Sequence, residues 1–333
     1  MSPLKNCIIN KETKNKPIWI MRQAGRYLPE FREIRKKNPN FIELCLNENL
    51  SSEITLQPIK RFNLDAAIIF SDILMLPFGL NQNVNFIKNF GPELGDFKIE
   101  EIKKISENNF KEKLLPIYNS INITSKNELI KNKDLIGFVG APWTLLLYMI
   151  NKKSPKNTII NDIYGSKNLD DLLKKLIQTQ KLHIKYQVEN GASIIQIFDS
   201  WAGLIKKDKL DKFIYEPTKE LVEYTKSLNV EAICFPRNIE SYKEYCNIVK
   251  PSAVNIDYEV DPKKIVENID IPVQGGMDPK YLLFEKNEML KNAEKYLEIF
   301  KNHKYIFNLG HGVLPETNPE NIRALVDFVK EFK

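Results

Sequence analysis

Eight short apolar runs recur along the 333-residue chain, with helix-like stretches between them. They occupy 17–21 (PIWIM), 65–70 (DAAIIF), 135–140 (LIGFVG), 193–199 (SIIQIFD), 231–236 (EAICFP), 253–258 (AVNIDY), 271–276 (IPVQGG) and 304–310 (KYIFNLG). Most are continuously apolar rather than alternating. Strands of that kind are buried on both faces, as in a parallel sheet covered by helices. The clearest helix covers 170–191, with Leu and Ile at spacings of three and four and a glycine at its stop. Eight strands each followed by helix predict an α/β fold, a single (β/α)8 TIM barrel over residues 1–333. An open doubly wound sheet is the alternative. If it held a dinucleotide its first strand would lead into G-x-G-x-x-G, whereas this chain reads WIMRQAGRYLPE. Residues 79–134 are longer than one crossover requires and read as an insertion at the rim, with a hairpin expected from NVNFIKNFGPEL. Residues 1–15 are expected to be flexible.

Composition narrows the function classes. A net charge of +6 on a chain of this length is mild and gives no reason to expect nucleic acid. No run of 18 apolar residues occurs, so no membrane span is expected, and the start lacks the apolar run of a signal peptide. The four cysteines are scattered, with no C-x-x-C pair, which fits a reducing cytoplasm. Three histidines leave no multi-histidine metal site, and a His/Cys zinc site would need residues far apart in sequence.

In a barrel the chemistry stands at the carboxyl ends of the strands. The first run is followed by Arg22, Gln23 and Arg26, the second by Ser71 and Asp72, and the third by Trp143, Thr144 and Tyr148. Asp199, Ser200 and Trp201 follow the fourth, Arg237 the fifth, and His311, between two glycines, the eighth. Each has a plainer reading. Arg22 and Arg26 would sit on a solvated helix face pairing with Glu30; Asp72, Asp199 and Ser200 would cap helices; Trp143 and Tyr148 would fill core. Taken together, a rim of Arg22, Arg26, Arg237 and His311 against Asp72 suits a small polyanion, because arginine binds carboxylates bidentately.

Longer motifs carry a resemblance. PIWIMRQAGRYLPEFRE and GFVGAPWTLLLY resemble the two signatures of the uroporphyrinogen decarboxylase family, and DAAIIFSDIL, IFDSWAG, QGGMDP and FNLGHGVLPET follow that family's order from about residue 16 to the C-terminus. The resemblance implies a (β/α)8 barrel, a homodimer, and removal of four acetate carboxyls from uroporphyrinogen without a metal or organic cofactor, in haem biosynthesis. It implies that Arg22 and Arg26 meet substrate carboxylates, with Gln23 adding contacts from the same motif. Asp72 would meet the pyrrole N–H groups and, with Arg22, serve catalysis. Tyr148, Ser200 and His311 would bind substrate carboxylates.

Three departures from the family pattern fall in loops: Asn151-Lys152 where a small or acidic residue and glycine are expected, Asn238 for glycine, and Gly276 for asparagine. Rival classes are a zinc-dependent barrel moving methyl groups from a corrinoid, a non-enzymatic tetrapyrrole binder, and an RNA binder. The last has only the charge in its favour.

Overall fold

The computed structural model describes residues 1–10, 14–87, 90–155, 164 and 168–332. Its strands are β1 (Ala66–Ile68), β2 (Val84–Ile87), β3 (Gly91–Leu94), β4 (Asp134–Gly140), β5 (Ile194–Asp199), β6 (Glu231–Pro236), β7 (Ala253–Ile256), β8 (Val273–Gly275) and β9 (Tyr305–Ile306). Seven of them form one parallel sheet in the order β1-β4-β5-β6-β7-β8-β9. The register runs through Ile68↔Ile136, Ile136↔Ile194, Ile233↔Ala253, Val254↔Val273 and Val273↔Tyr305.

The sheet curls, because one segment reaches both of its edges. Phe307 N donates to Pro17 O at 2.8 Å and Ile18 bridges Phe307 in parallel, while Asp65 N donates to Ile18 O at 2.9 Å. The run at 17–21, expected as a strand, therefore lies between β9 and β1 without forming a regular ladder. The reason is chemical: Ile18 N donates to the Asp65 side chain, and Met21 N to the Asn308 side chain, both at 2.8 Å. Side-chain oxygens take the places of backbone acceptors.

Side chains alternate between two cores. Ile18, Ile20, Ala67, Ile69, Leu135, Val139, Ile195, Ile197, Val254 and Ile256 point to the helices, and their alternates Trp19, Met21, Ala66, Ile136, Ile194, Ile233, Phe235 and Ala253 fill the lumen. This explains the continuously apolar runs, since both faces are dry. Above the apolar layer lies a buried polar one. Trp19 Nε1 donates to Gln274 Oε1 at 2.8 Å, and Gln274 Nε2 donates to Gln196 Oε1 and Asn255 Oδ1 at 3.1 and 2.6 Å.

The amino terminus corrects one expectation. Instead of a loose arm, Pro3–Ile9 is a helix with Leu4 and Cys7 fully buried, packed in the lumen core with Trp19, Ile136, Ile194 and Ile306. Its three apolar side chains Leu4, Cys7 and Ile8 cover lumen surface that would otherwise meet water. Residues 11–13, part of the expected flexible stretch, lie outside the described residues.

Between β1 and β4 the chain forms the antiparallel β2–β3 pair, Val84↔Leu94 to Ile87↔Gly91, and then the helices Ile99–Lys104 and Glu107–Ser125. The hairpin is the one expected from NVNFIKNFGPEL; residues 88 and 89 at its turn lie outside the described residues.

Candidate active site at the carboxyl ends of the strands

Three strand-end aspartates are sorted by their partners. Asp257 is buried with both oxygens occupied: Oδ2 accepts from Asn238 N at 2.9 Å and from the Tyr242 hydroxyl at 2.8 Å, and Oδ1 from Glu259 N at 2.9 Å. It is a structural brace. Asp199 is 1% exposed; its Oδ1 accepts from Thr144 Oγ1 at 2.6 Å and its Oδ2 has no partner among the described residues. Asp72 alone is partly open. Its Oδ1 accepts from Leu74 N at 2.9 Å, so the capping role expected of it holds for one oxygen. Burial pushes the Asp72 carboxyl up to about 6, opposed by the Leu74 N–H and then by the Arg22 charge. An acid so placed titrates close to neutrality, as groups that handle charge in a reaction do.

Arg22 is held beside it by an unusual backbone. It adopts φ 62°, the left-handed region that costs most residues roughly 1–2 kcal/mol. Gln23 makes the conformation stick. It is fully buried, its Oε1 accepts from Ile20 N and its Nε2 donates to Ala66 O, both at 3.1 Å. These bonds tie the 17–21 segment to β1. The side chain of Gln23 is thus a brace beneath the site. The Arg22 side chain then lies across Gly312, where a Cβ would stand 2.3 Å from its Cδ.

Tyr148 completes the group. It projects from the helix Pro142–Asn151 that follows β4, and its phenol is raised chiefly by burial, with the charges of Asp72 and Arg22 both acting on it. The Trp201 ring meets it nearly edge-on, centroids 6.3 Å apart. Arg22, Asp72 and Tyr148 are therefore in electrostatic reach of one another. Ser200 is partly open beside Trp201, and His311 is partly open beside Gly312. Arg26 is exposed, and its carbonyl accepts from Arg32 Nη1 at 3.1 Å. Trp143 is fully buried and belongs to the core, as its plainer reading had it.

The sequence reading missed the aromatic lining. Phe138, Phe198 and Phe235 meet edge to face inside the sheet, centroids 5.7 and 6.5 Å apart. Phe138 and Phe198 are only partly buried and offer apolar surface near the strand ends. In runs apolar on both faces, hydrophobicity alone does not say which residues point inward; the parity of Ile136 and Ile194 carries that information.

The three departures share one property. Lys152, Asn238 and Gly276 adopt φ 59°, 58° and 100°. Each stands where the backbone is left-handed, and two of the three exchanges are between Gly and Asn, the residue types that tolerate such a φ best. Lys152 is held by a Leu94 N bond to its carbonyl at 2.7 Å and an ion pair with Asp96. Asn151 Nδ2 donates to Lys153 O at 3.1 Å. The loop is docked on the β2–β3 hairpin, where Lys153 bridges Glu93. Among the described residues no three His, Cys, Asp or Glu side chains gather in a way that could hold a metal ion.

The model of the family described as "Uroporphyrinogen decarboxylase (URO-D)" matches residues 1–332. The chain belongs to the uroporphyrinogen decarboxylase family. Among curated relatives, "Uroporphyrinogen decarboxylase" of Rickettsia bellii is 41% identical over 332 residues, covering 97% of both chains. The protein of the same name from Wolbachia pipientis is 41% identical over 321 residues, covering 95% of this chain and 94% of that one. A solved structure, a methyltransferase from Methanosarcina mazei, superposes with a TM-score of 0.79 at 17% identity, covering 99% of this chain and 97% of that one. That likeness concerns the fold. The family member described above has no helix, among its described residues, long and apolar enough to cross a membrane.

Proposed function

We propose that this member of the family removes the four acetate carboxyls of uroporphyrinogen III, giving coproporphyrinogen III and four CO2 on the route to haem. One observation carries the assignment of the site: a carboxyl raised toward neutrality, Asp72, beside the Arg22 charge at the carboxyl end of a curled parallel sheet.

The chemistry explains why these groups suffice. A pyrrole acetate loses CO2 only if the electrons of the breaking C–C bond have somewhere to go. Protonating the ring carbon next to the one that bears the acetate, beside the nitrogen, gives a cationic ring whose conjugated C=C–C=N+ system accepts them. CO2 leaves, an exocyclic double bond remains, a second proton adds to the exocyclic carbon to make the methyl, and the first proton leaves the ring carbon so that the pyrrole is aromatic again. The electron-rich ring is its own sink, so the reading calls on no metal or organic cofactor. The protein supplies a negative charge against the transient cation and a grip on the carboxylates.

Ionised Asp72 accepts hydrogen bonds from the pyrrole N–H groups and faces the developing cation. Charge-assisted bonds contribute roughly 1.5–3 kcal/mol each. At about 1.4 kcal/mol per factor of ten, one such bond realised fully in the transition state is worth about tenfold or more. Arg22 takes a substrate carboxylate and restrains the ionisation of Asp72 from falling away. Arg26, Tyr148, Ser200 and His311 take further carboxylates, and Phe138 and Phe198 offer the macrocycle an apolar face. In this reading 17–21 is the eighth stave of a closed (β/α)8 barrel, supported by its bonds to both sheet edges, and 79–134 is its rim insertion. The protein works as a cytoplasmic homodimer.

The test is incubation with uroporphyrinogen III under anaerobic conditions with chelator present, and product analysis by carboxylate count. Stepwise conversion from eight carboxylates to four is the expected result. Unchanged substrate in the presence of chelator, with turnover restored by a metal, would overturn the mechanism.

A further inference from the structure

We propose that Thr144 and Asp199 form a latch that holds Tyr148 and Ser200 at one spacing, making both members of the latch positioning residues for the decarboxylation. The proposal rests on the reading of Tyr148 and Ser200 as substrate contacts.

Tyr148 and Ser200 come from different βα units, and nothing in either unit alone sets the distance between them. Thr144 and Tyr148 are four apart on one helix and so share a face. Asp199 is the last residue of β5 and Ser200 is the next. The two units are stitched together at this point. Thr144 Oγ1 donates to Asp199 Oδ1 at 2.6 Å and accepts from Trp201 N at 3.2 Å. Trp143 Nε1 donates to Trp201 O at 3.0 Å, and Ala141 N to Phe198 O at 2.8 Å. One hydroxyl therefore grips the chain on both sides of Ser200, and the ring of Trp201 is delivered against Tyr148.

Asp199 is suited to the part. Its side chain is buried, and Oδ2 has no partner among the described residues. Burial pushes this carboxyl up to about 7, with the Thr144 hydroxyl acting against the shift. A neutral acid accepting one bond is sufficient for the latch, so an amide of the same shape should replace it. A purely structural tie would lower stability when cut but leave the course of the four rounds alone. A latch that spaces two substrate contacts should also change how firmly partly decarboxylated intermediates are held.

The experiment uses the full-length enzyme with uroporphyrinogen III and follows KM, kcat, the fractions of seven-, six- and five-carboxylate intermediates, and the melting temperature. Tyr148→Phe and Ser200→Ala test the underlying site reading by themselves: wild-type kinetics in both would remove it, whatever the latch does. Thr144→Val is expected to raise KM about tenfold with a smaller change in kcat and to let intermediates accumulate. Thr144→Ser and Asp199→Asn should stay within about threefold of wild type. In a Tyr148→Phe, Ser200→Ala background, Thr144→Val should add little further loss. Thr144→Cys keeps the size and weakens the bond; it gives a partial effect of the same kind should valine prevent folding. Wild-type kinetics in Thr144→Val or Thr144→Cys, failure of serine to restore function, or a loss that simply adds to the double variant would each overturn the proposal.

Discussion

Arg22 and Gly312 are shaped to each other: a single methyl group at position 312 would stand 2.3 Å from Arg22 Cδ and 2.7 Å from its Cγ. The contact is with the stem of the side chain, so the arginine cannot swing clear at its tip alone. Gly312→Ala should displace the guanidinium and cut kcat/KM by about tenfold to a hundredfold, with the fold retained. In an Arg22→Ala background the same substitution should cost almost nothing, because the group it displaces is gone. Equal losses in both backgrounds, measured by steady-state kinetics, would show that Gly312 acts on something other than Arg22.

Asp72 should show activity and stability moving in opposite directions. Its folded-state acidity, about 6, lies above the unfolded value of 3.8, so the folded protein binds the extra proton. By linkage its contribution to stability is fully present below pH 3.8 and is lost as pH rises through 6. Asp72→Asn should therefore raise stability at pH 8 by an amount on the order of 1 kcal/mol, after discounting for its partial exposure. The same change should lower turnover at least about a hundredfold while leaving substrate affinity nearly intact. A melt and a rate, taken on one preparation, check both halves.

The same ionisation gives the pH profile its acid limb. If the carboxylate form of Asp72 is the working form, kcat/KM should rise with pH through about 6 and then level. Asp72→Asn should abolish that limb in whatever residual activity remains. A limb that survives the substitution belongs to another group.

Lys152 occupies a left-handed position where the family pattern has glycine, at φ 59°. Lys152→Gly should raise stability by about 0.5–1 kcal/mol, the relief of backbone strain outweighing the loss of an exposed ion pair with Asp96. Chemical denaturation, compared at equal m-value, measures it. A lowered midpoint would mean that the Asp96 pair and the docking of the hairpin matter more than the backbone.

Leu4 is fully buried in the lumen core. Leu4→Ala should cost about 2–4 kcal/mol, as for large-to-small changes in other cores. A loss below about 0.5 kcal/mol would show that the amino-terminal helix is only weakly docked.

The βα rhythm and most strand positions were legible because dry parallel strands advertise themselves as unbroken apolar runs. So were the places of Arg22, Asp72 and Tyr148 beyond the ends of those runs, which the parallel sheet brings within electrostatic reach of one another. The helix Pro3–Ile9 was not, for a seven-residue segment has no periodicity to read and owes its order to the lumen it covers. The segment at 17–21 looked like an ordinary strand, yet Asp65 and Asn308 supply side-chain acceptors where a ladder would use backbone. Gln23 illustrates the limit of motif position: it sits between two arginines of the site in sequence, but its amide is spent on Ile20 and Ala66.

Leu4, Cys7 and Ile8 join Trp19, Ile136, Ile194 and Ile306 in one packed cluster, so that part of the lumen is filled by side chains and is a core, not a passage. A change that hollows out this cluster, such as Leu4→Ala, therefore acts on the stability of the sheet and not on a route through it.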